Sequence, residues 1–176
     1  EPSAQMPVLA HVFKIISDPF VGKIGIFRVH QGQIRPGTTL YIDDSRKPIK
    51  VNKPLILQGK ETAETDELNP GDIGALNKID DMHYGAILHS SLLDYDVRMK
   101  PLGFPQPMFG LDLTPLRRGD ESRMSDVLNK MLAEDPTLKT STDPVLNKTM
   151  LQGLSELHLK TVLDRMKAQF NFEVQT

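Results

Sequence analysis

The stretch Asp18 to Gly37, DPFVGKIGIFRVHQGQIRPG, constrains the fold more than any other part of the chain. Lys23, Gly25, Phe27 and Val29 alternate with Ile24, Ile26 and Arg28, the two-residue period of a strand. Apolar residues occur on both faces, so the segment needs cover on two sides, as a strand half wrapped inside a small closed barrel has. It reads as a hairpin of two short strands, closed off by turns at Asp18-Pro19 and Gln31-Gly32. Gly22, Gly25, Gly32 and Gly37 fall where such a barrel needs positive-φ turn residues or room for a sharp bend.

The segments around it supply strands to close on it. Met6 to Ile16 alternates well enough to be an entering strand, and Thr38 to Ile42 and Ile49 to Lys53 flank a DDSRKP turn. The polar run GKETAETDELNP reads as surface loop, after which GDIGAL and AILHSS provide the closing strands. Six or seven short strands with Gly/Pro punctuation and no helical period predict a small all-β barrel over residues 1–98. Three prolines and a glycine in DYDVRMKPLGFPQP then mark a boundary, placed at residues 99–107.

The pattern changes class beyond it. Met108 to Leu113 alternates as a strand, Asp120-Glu121-Ser122 place acids at a helix start, and Met124, Val127, Leu128, Met131 and Leu132 recur at helical steps. Glu134-Asp135-Pro136 ends that helix. Leu138 to Thr142 and Thr149 to Leu154 form a hairpin through a DPVLNK turn. Leu159, Val162, Leu163, Met166 and Phe170 mark a second amphipathic helix, and Phe172 to Val174 a last strand. The order β-α-β-β-α-β predicts an α+β ferredoxin-like domain over residues 108–176.

Two sets of residues carry a family resemblance. The run F-x(4)-DPFVGKI-x(2)-FRV-x(2)-G-x-I-x-PG between Val12 and Ile42 resembles the start of the second domain of the translational GTPases, and among them most resembles elongation factor G. FPQP at Phe104 to Pro107, EDPTL at Glu134 to Leu138 and QGLSELHLKTVLDRM from Gln152 resemble that family's third domain. The resemblance covers essentially the whole chain. It implies a non-catalytic part of a ribosome-stimulated GTPase, with GTP and Mg²⁺ held in a G domain elsewhere, and a role in ribosome docking and in relaying the GTP state during translocation. The implied partners are the ribosome, chiefly small-subunit RNA and protein, and the parent's own G domain. A hinge for such a relay is expected at Lys100 to Pro107.

The totals set limits on those expectations. Twelve Lys and Arg face 13 Asp and Glu in residues 1–100, and 9 face 10 in residues 101–176, so nucleic-acid contact must be a local patch rather than a bulk field. Lys23, Arg28 and Arg35, with His30, lie on or beside the organising stretch, and Arg46, Lys47 and Lys50 crowd the next turn. Such clusters are most often solubilising; with the resemblance, they become the expected contacts to ribosomal RNA phosphates. Cysteine is absent, which excludes disulfides and thiolate chemistry. No run approaches the roughly 18 apolar residues of a membrane span, and a cytoplasmic protein is the expectation. Glu1 is not a plausible natural start and the chain stops straight after a strand-like FNFEVQT, so a piece of something longer is expected.

Catalytic and metal motifs read blandly. Asn77-Lys78-Ile79-Asp80 fits NKxD, but with no G-x(4)-GK[S/T] loop anywhere nothing would cradle phosphates. His11, His30, His83, His89 and His158 read as solvated loop and strand positions, the group Asp80, Asp81, His83 and His89 coming nearest to metal-ligand spacing. Asp94, Asp96, Ser141 and Ser155 form no nucleophile or acid–base pattern. No catalytic, cofactor or metal residue is assigned.

The start of the second helix carries more. Ser155 suits an N-cap, Glu156 suits the positive helix end, and Glu156–Lys160 and Lys160–Asp164 can pair at i,i+4. The resemblance adds that this helix faces the GTPase domain, with His158 and Arg165 at positions lining the pocket for the inhibitor fusidic acid, and with Thr137, Pro105 and Pro107 around it. Ser155 stands where the family has Gly, Lys160 where it has an acid, and Ala86 where it has Asp, while Lys53-Pro54 interrupts a usually basic strand. These departures suggest a divergent paralogue. A ribosomal protection or release factor of the same family, or a free-standing two-domain adaptor, are the other readings.

Overall fold

Strand β2, Gly22–Gln31, lies inside an eight-stranded antiparallel sheet between β1, Leu9–Asp18, and β7, Ile73–Asn77. The computed structural model describes the chain except Glu1, Pro2, Pro19, Phe20, Lys60, Tyr95 and Pro144 to Asn147. Phe27 and Val29 are fully buried on one face of β2, while Ile24 and Ile26 on the other join Leu55 and Ala75 in a second apolar cluster. The two-sided cover expected from the sequence is therefore present. The hairpin is not internal to Asp18–Gly37, however. That stretch holds one ten-residue strand, and its hairpin partner is the upstream β1, register-paired from Leu9↔Gln31 to Asp18↔Gly22. A strand with apolar residues on both faces has no polar point at which to break in two, which is why the pair forms upstream. The Asp18-Pro19 turn lies partly outside the described residues.

The remaining strands are β3 Thr39–Ile42, β4 Ile49–Lys50, β5 Leu55–Gln58, β6 Glu61–Glu64 and β8 Ile87–His89. The sheet order is β4-β3-β8-β1-β2-β7-β5-β6, curled into a half-barrel, and an antiparallel bridge between Ile34 and Leu68 joins two of its loops. Strand β6 corrects the reading of GKETAETDELNP as loop. It pairs with β5 from Leu55↔Glu64 to Gln58↔Glu61, although all four of its residues are exposed. An edge strand needs only backbone partners, and Glu61 and Glu64 are the charged guards that keep such an edge from pairing further.

His89 corrects a second expectation, since it is 1% exposed rather than solvated. Its ring lies between two backbone carbonyls, with Nδ1 2.7 Å from Ser91 O and Nε2 2.6 Å from Asp43 O. Tyr41 stacks on it at 5.8 Å. Asp43, at φ 49°, accepts at Oδ1 from Ile87 N–H and faces His83 Nε2 with Oδ2. The metal-spaced group of the sequence is thus separated: His83 meets Asp43, while Asp80 O accepts from Lys23 Nζ at 2.5 Å.

Contacts divide the chain into Glu1–Pro101 and Leu102–Thr176. The second unit is a four-stranded antiparallel sheet of β9 Phe109–Pro115, β10 Lys139–Asp143, β11 Lys148–Gly153 and β12 Val174–Gln175, ordered β10-β11-β9-β12. Helices α1, Glu121–Glu134, and α2, Glu156–Phe170, complete a βαββαβ order whose first and third strands are neighbours, the ferredoxin-like arrangement. Met124, Val127, Leu128 and Met131 from α1 and Leu159, Val162 and Met166 from α2 bury the expected stripes against Leu113, Leu138 and Leu151. The last strand is shorter than expected, because Phe172 turns into this core instead of joining the sheet. The turn between β10 and β11 lies outside the described residues. Among the described residues no helix is long and apolar enough to cross a membrane.

Gly32 tests the entry to the barrel. It has φ +73°, and a Cβ there would lie 2.6 Å from Val8 Cα and 2.7 Å from Val8 N, backbone atoms that cannot swing away. The left-handed conformation alone costs an L-residue about 1–2 kcal/mol. Gly32→Ala should therefore lower stability by more than about 2 kcal/mol in urea unfolding; a loss under about 1 kcal/mol would show that the Val8 backbone gives way.

Candidate functional site

The chemically richest place in the second unit is the corner where α1 ends and α2 begins. Pro136 biases Asp135 away from helical geometry, and Asp135 is extended at φ −126°, ψ 102°, as the C-cap of α1. Its N–H still reaches Met131 O at 3.0 Å. Freed from the helix, its carboxylate faces two elements at once. Oδ1 accepts from Thr137 N–H at 2.8 Å and from Thr137 Oγ1 at 2.6 Å, while Oδ2 lies 3.0 Å from His158 Nε2 in α2.

The opposite nitrogen of His158 fixes how that contact works. Leu154 N–H donates to His158 Nδ1 at 3.1 Å, so Nδ1 carries the lone pair and Nε2 carries the hydrogen that Asp135 accepts. Gly153 makes room for this loop: a Cβ there would come within 2.6 Å of Leu159 Cδ2 and 3.0 Å of His158 Nδ1. Ser155, extended at φ −161°, ψ 168°, caps α2 by accepting from His158 N–H at 3.1 Å. Burial works to raise the Asp135 carboxyl, but the hydrogen bonds from Thr137 and then from His158 outweigh it and hold it below its ordinary value.

Two turns further along α2, Arg165 pairs with Glu134, the residue before Asp135. Glu134's side chain is 8% exposed and Arg165's 41%. Adjacent acids at the end of α1 therefore grip one face of α2 at two points. Thr137, His158 and Arg165 are gathered by this pair of acids. Neither acid is a site candidate from the sequence, although both stand in the EDPTL motif; the signal there is an acid directly before a helix-ending proline.

The other expected residues are not drawn in. Glu156 is exposed, and neither Glu156–Lys160 nor Lys160–Asp164 pairs; among the described residues the ion pairs of α2 are His158–Asp135, Arg165–Glu134 and Lys167–Glu173. The flexible Lys160 gains little by ordering on an open helix face. Pro105 is exposed, and Gln106 beside it accepts from Lys139 Nζ at 2.6 Å. Pro107 leads into Met108, whose N–H donates to Gly153 O at 2.9 Å.

The basic residues of the first unit fall into two groups. Lys23 and Lys47 converge on the loop after β7, Lys23 on Asp80 O and Lys47 on Asp81 at 3.4 Å, with Arg46 exposed next to Lys47. Arg35 pairs with Glu67 at 2.9 Å, and exposed Lys50 sits on the short strand β4 opposite Thr39. Arg28 is apart from both, exposed on β2 opposite Ile73 and His11. No partner is seen for Arg28, Arg46 or Lys50 among the described residues.

With these arrangements established, similarity to known proteins decides the family. The family described as elongation factor G domain 2 matches residues 7–91, and that described as elongation factor G, domain III, matches residues 104–176. The chain belongs to the elongation factor G-like proteins. It holds domains 2 and III of a translation elongation factor in consecutive order. A crystal structure of a protein from Thermus thermophilus matches 97% of this chain with a TM-score of 0.80 and 29% identity. This chain spans 25% of that protein's chain. The acid grip on α2 lies in domain III, and the two basic groups lie in domain 2.

Two outcomes follow for the domain III corner. A depressed carboxyl contributes stability that is complete above its unfolded value, near 3.8, and is lost as pH falls through the lower folded value. Urea unfolding followed by helix circular dichroism should therefore weaken below about pH 4, and Asp135→Asn should reduce that acid-dependent loss while lowering stability at neutral pH. A pH profile parallel to that of the unsubstituted protein would remove Asp135 from this role. In the same assay Ser155→Ala should cost about 1 kcal/mol through loss of the α2 cap.

Proposed function

We propose that this chain is the non-catalytic domain 2–III portion of an elongation factor G-like translational GTPase, that domain 2 docks on small-subunit ribosomal RNA, and that domain III senses the state of the parent's G domain. The observation that carries this reading is the consecutive match of both domains, in one chain, to the two families. Catalysis and nucleotide binding belong, on this reading, to a G domain carried elsewhere in the parent protein. Lys78 of the N-K-I-D sequence has φ 59° in the turn after β7, and its N–H donates to Lys23 O.

The basic groups suit the docking role by chemistry. Arg46 and Lys50 are exposed cations without protein partners among the described residues, and Arg35, Lys47 and Lys23 have exposed or backbone partners that a phosphate can displace. Exposed ion pairs contribute only about 0–1 kcal/mol, so exchanging one for a phosphate contact meets little opposition. Arg28 would make a separate contact. For domain III, the first turn of α2 and the Thr137 loop would meet the G domain. Leu157 and Met108 are exposed there, 73% and 88%, as apolar side chains that a partner surface would cover. His158, Thr137 and Arg165 would then respond to the G domain through the Asp135 and Glu134 grips, and an inhibitor of the fusidic acid type would compete for the same surface, beside Pro105, Pro107 and Glu156.

Ribosome pelleting with the parent protein tests the docking half. Replacing Arg46, Lys47 and Lys50 together with Glu should weaken association by about tenfold or more and flatten its salt dependence, since each lost phosphate contact removes about 0.7–0.9 from the slope of log K against log salt. Unchanged association at every salt concentration would remove these three residues from the interface.

A further inference from the structure

We propose that His89 is a doubly protonated imidazole that clamps the turn after β3 to β8, and that losing its second proton releases the clamp, a pH-sensitive switch inside domain 2. The ring is 1% exposed, and its two nitrogens face acceptors alone: Nδ1 lies 2.7 Å from Ser91 O and Nε2 2.6 Å from Asp43 O. A backbone carbonyl has no hydrogen to give, so each nitrogen must donate. A neutral imidazole carries one hydrogen and would set a bare lone pair against one of the two oxygens, whereas the charged ring carries both. Turning the ring over does not remove the requirement, because carbon–hydrogen groups keep about 3.3–3.6 Å from a carbonyl oxygen. Ser91 O also accepts from Asp94 N–H at 3.1 Å, which holds that carbonyl in place.

The surroundings suit a positive ring. Tyr41, opposite His89 in the β3–β8 pairing, stacks on it at 5.8 Å and offers an aromatic face to the cation. Leu9 of β1 is opposite on the other side and brings no charge. The acid of this cluster is Asp43 itself, whose Oδ1 accepts from Ile87 N–H at 3.0 Å and whose Oδ2 lies 3.2 Å from His83 Nε2. His83 is likewise set between acceptors, with Nδ1 3.2 Å from Asp81 O, but its side chain is 60% exposed and water can replace either partner. Beyond it Asp81 pairs with Lys47. Asp43 is therefore the common point: its carbonyl meets His89, its carboxylate meets His83 and Ile87 N–H, and its own N–H donates to Ile87 O at 2.9 Å. The turn that starts there carries Arg46 and Lys47, so the clamp governs where two of the docking cations sit, although it does not depend on the docking reading. Because the doubly protonated ring makes both contacts, the stability they add is present at low pH and is lost as the pH rises through release of the second proton.

The test is NMR of the ¹⁵N-labelled 176-residue chain, following the ring nitrogens of His89 and the amides of Asp43, Ile87 and Ser91 upward from about pH 5. At the low end both ring nitrogens should carry a hydrogen. Loss of the second should shift the three amides with the same midpoint, and should speed hydrogen exchange at Asp43 and Ile87 N–H by about tenfold or more beyond the intrinsic rise with pH. These coupled changes should persist in His83→Gln and vanish in His89→Gln. The proposal is overturned by a His89 ring with one bare nitrogen at about pH 5 in the folded chain, or by a second proton released with no change at the three amides. Retention of both hydrogens until the chain unfolds in base overturns it as well, as do coupled changes that survive in His89→Gln and disappear in His83→Gln. The spectra of the unsubstituted chain decide the matter should His89→Gln fail to fold. None of these readouts involves the ribosome, so they stand or fall apart from the docking reading.

Discussion

Strand β2 must be covered on both faces, and most of domain 2 follows from that requirement. Phe27 and Val29 are fully buried on one side, and Ile24 and Ile26 pack with Leu55 and Ala75 on the other. A fully buried Phe is worth about 3–5 kcal/mol against truncation to Ala, so the inner face alone commits the strand. Covering the outer face requires β7 beside β2 and the β5–β6 hairpin beyond it, where Leu55 pairs with Ala75. The sheet must curl for both conditions to hold. Register shifts in β1 at Leu9/Ala10 and Val12/Lys14 supply local bends along the longest pairing in the domain.

Domain III solves a different problem. Two helices bury the aliphatic and Met stripes against a four-stranded sheet. The acids ending α1 add directional contacts to that packing. Asp135 binds Thr137 through one oxygen and His158 through the other, and Glu134 holds Arg165 two turns away. Each bond is modest, yet the partners are directional, and two anchors on one helix face define both translation and rotation. The cap at Ser155 and the approach at Gly153 place His158 where Asp135 can reach it.

What can be seen in the sequence divides along the same physical line. Both helices are legible because their buried residues recur at three- and four-residue steps, and Ser155 is legible as a cap because the residue type carries the chemistry. The hairpin is misplaced by sequence reasoning because a strand apolar on both faces gives no sign of which neighbour it pairs with. Strand β6 reads as loop because an exposed edge strand has no apolar period; its stability comes from β5. His89 reads as solvated because its partners are the carbonyls of Asp43 and Ser91, which every residue possesses and no motif records. Of the basic residues, chain spacing groups six that the fold separates into two clusters and an isolated Arg28. Spacing along the chain measures distance on a strand, but it says nothing of which loops meet.

That separation bears on how a nearly neutral domain could select a polyanion. Twelve Lys and Arg against 13 Asp and Glu in residues 1–100 give no long-range attraction to RNA, so any recognition would come at short range, where geometry counts. Arg35–Glu67 and Lys47–Asp81 are exposed pairs, too weak to matter to folding but able to hold their cations in place before a phosphate arrives. The acid also repels a phosphate that approaches from the wrong side. On the proposed docking role, Arg46 and Lys50, without partners among the described residues, would supply attraction, and the paired residues would supply position. Such a surface would discriminate by the spacing of phosphates rather than by their number, the distinction between docking on one folded RNA and adhering to any.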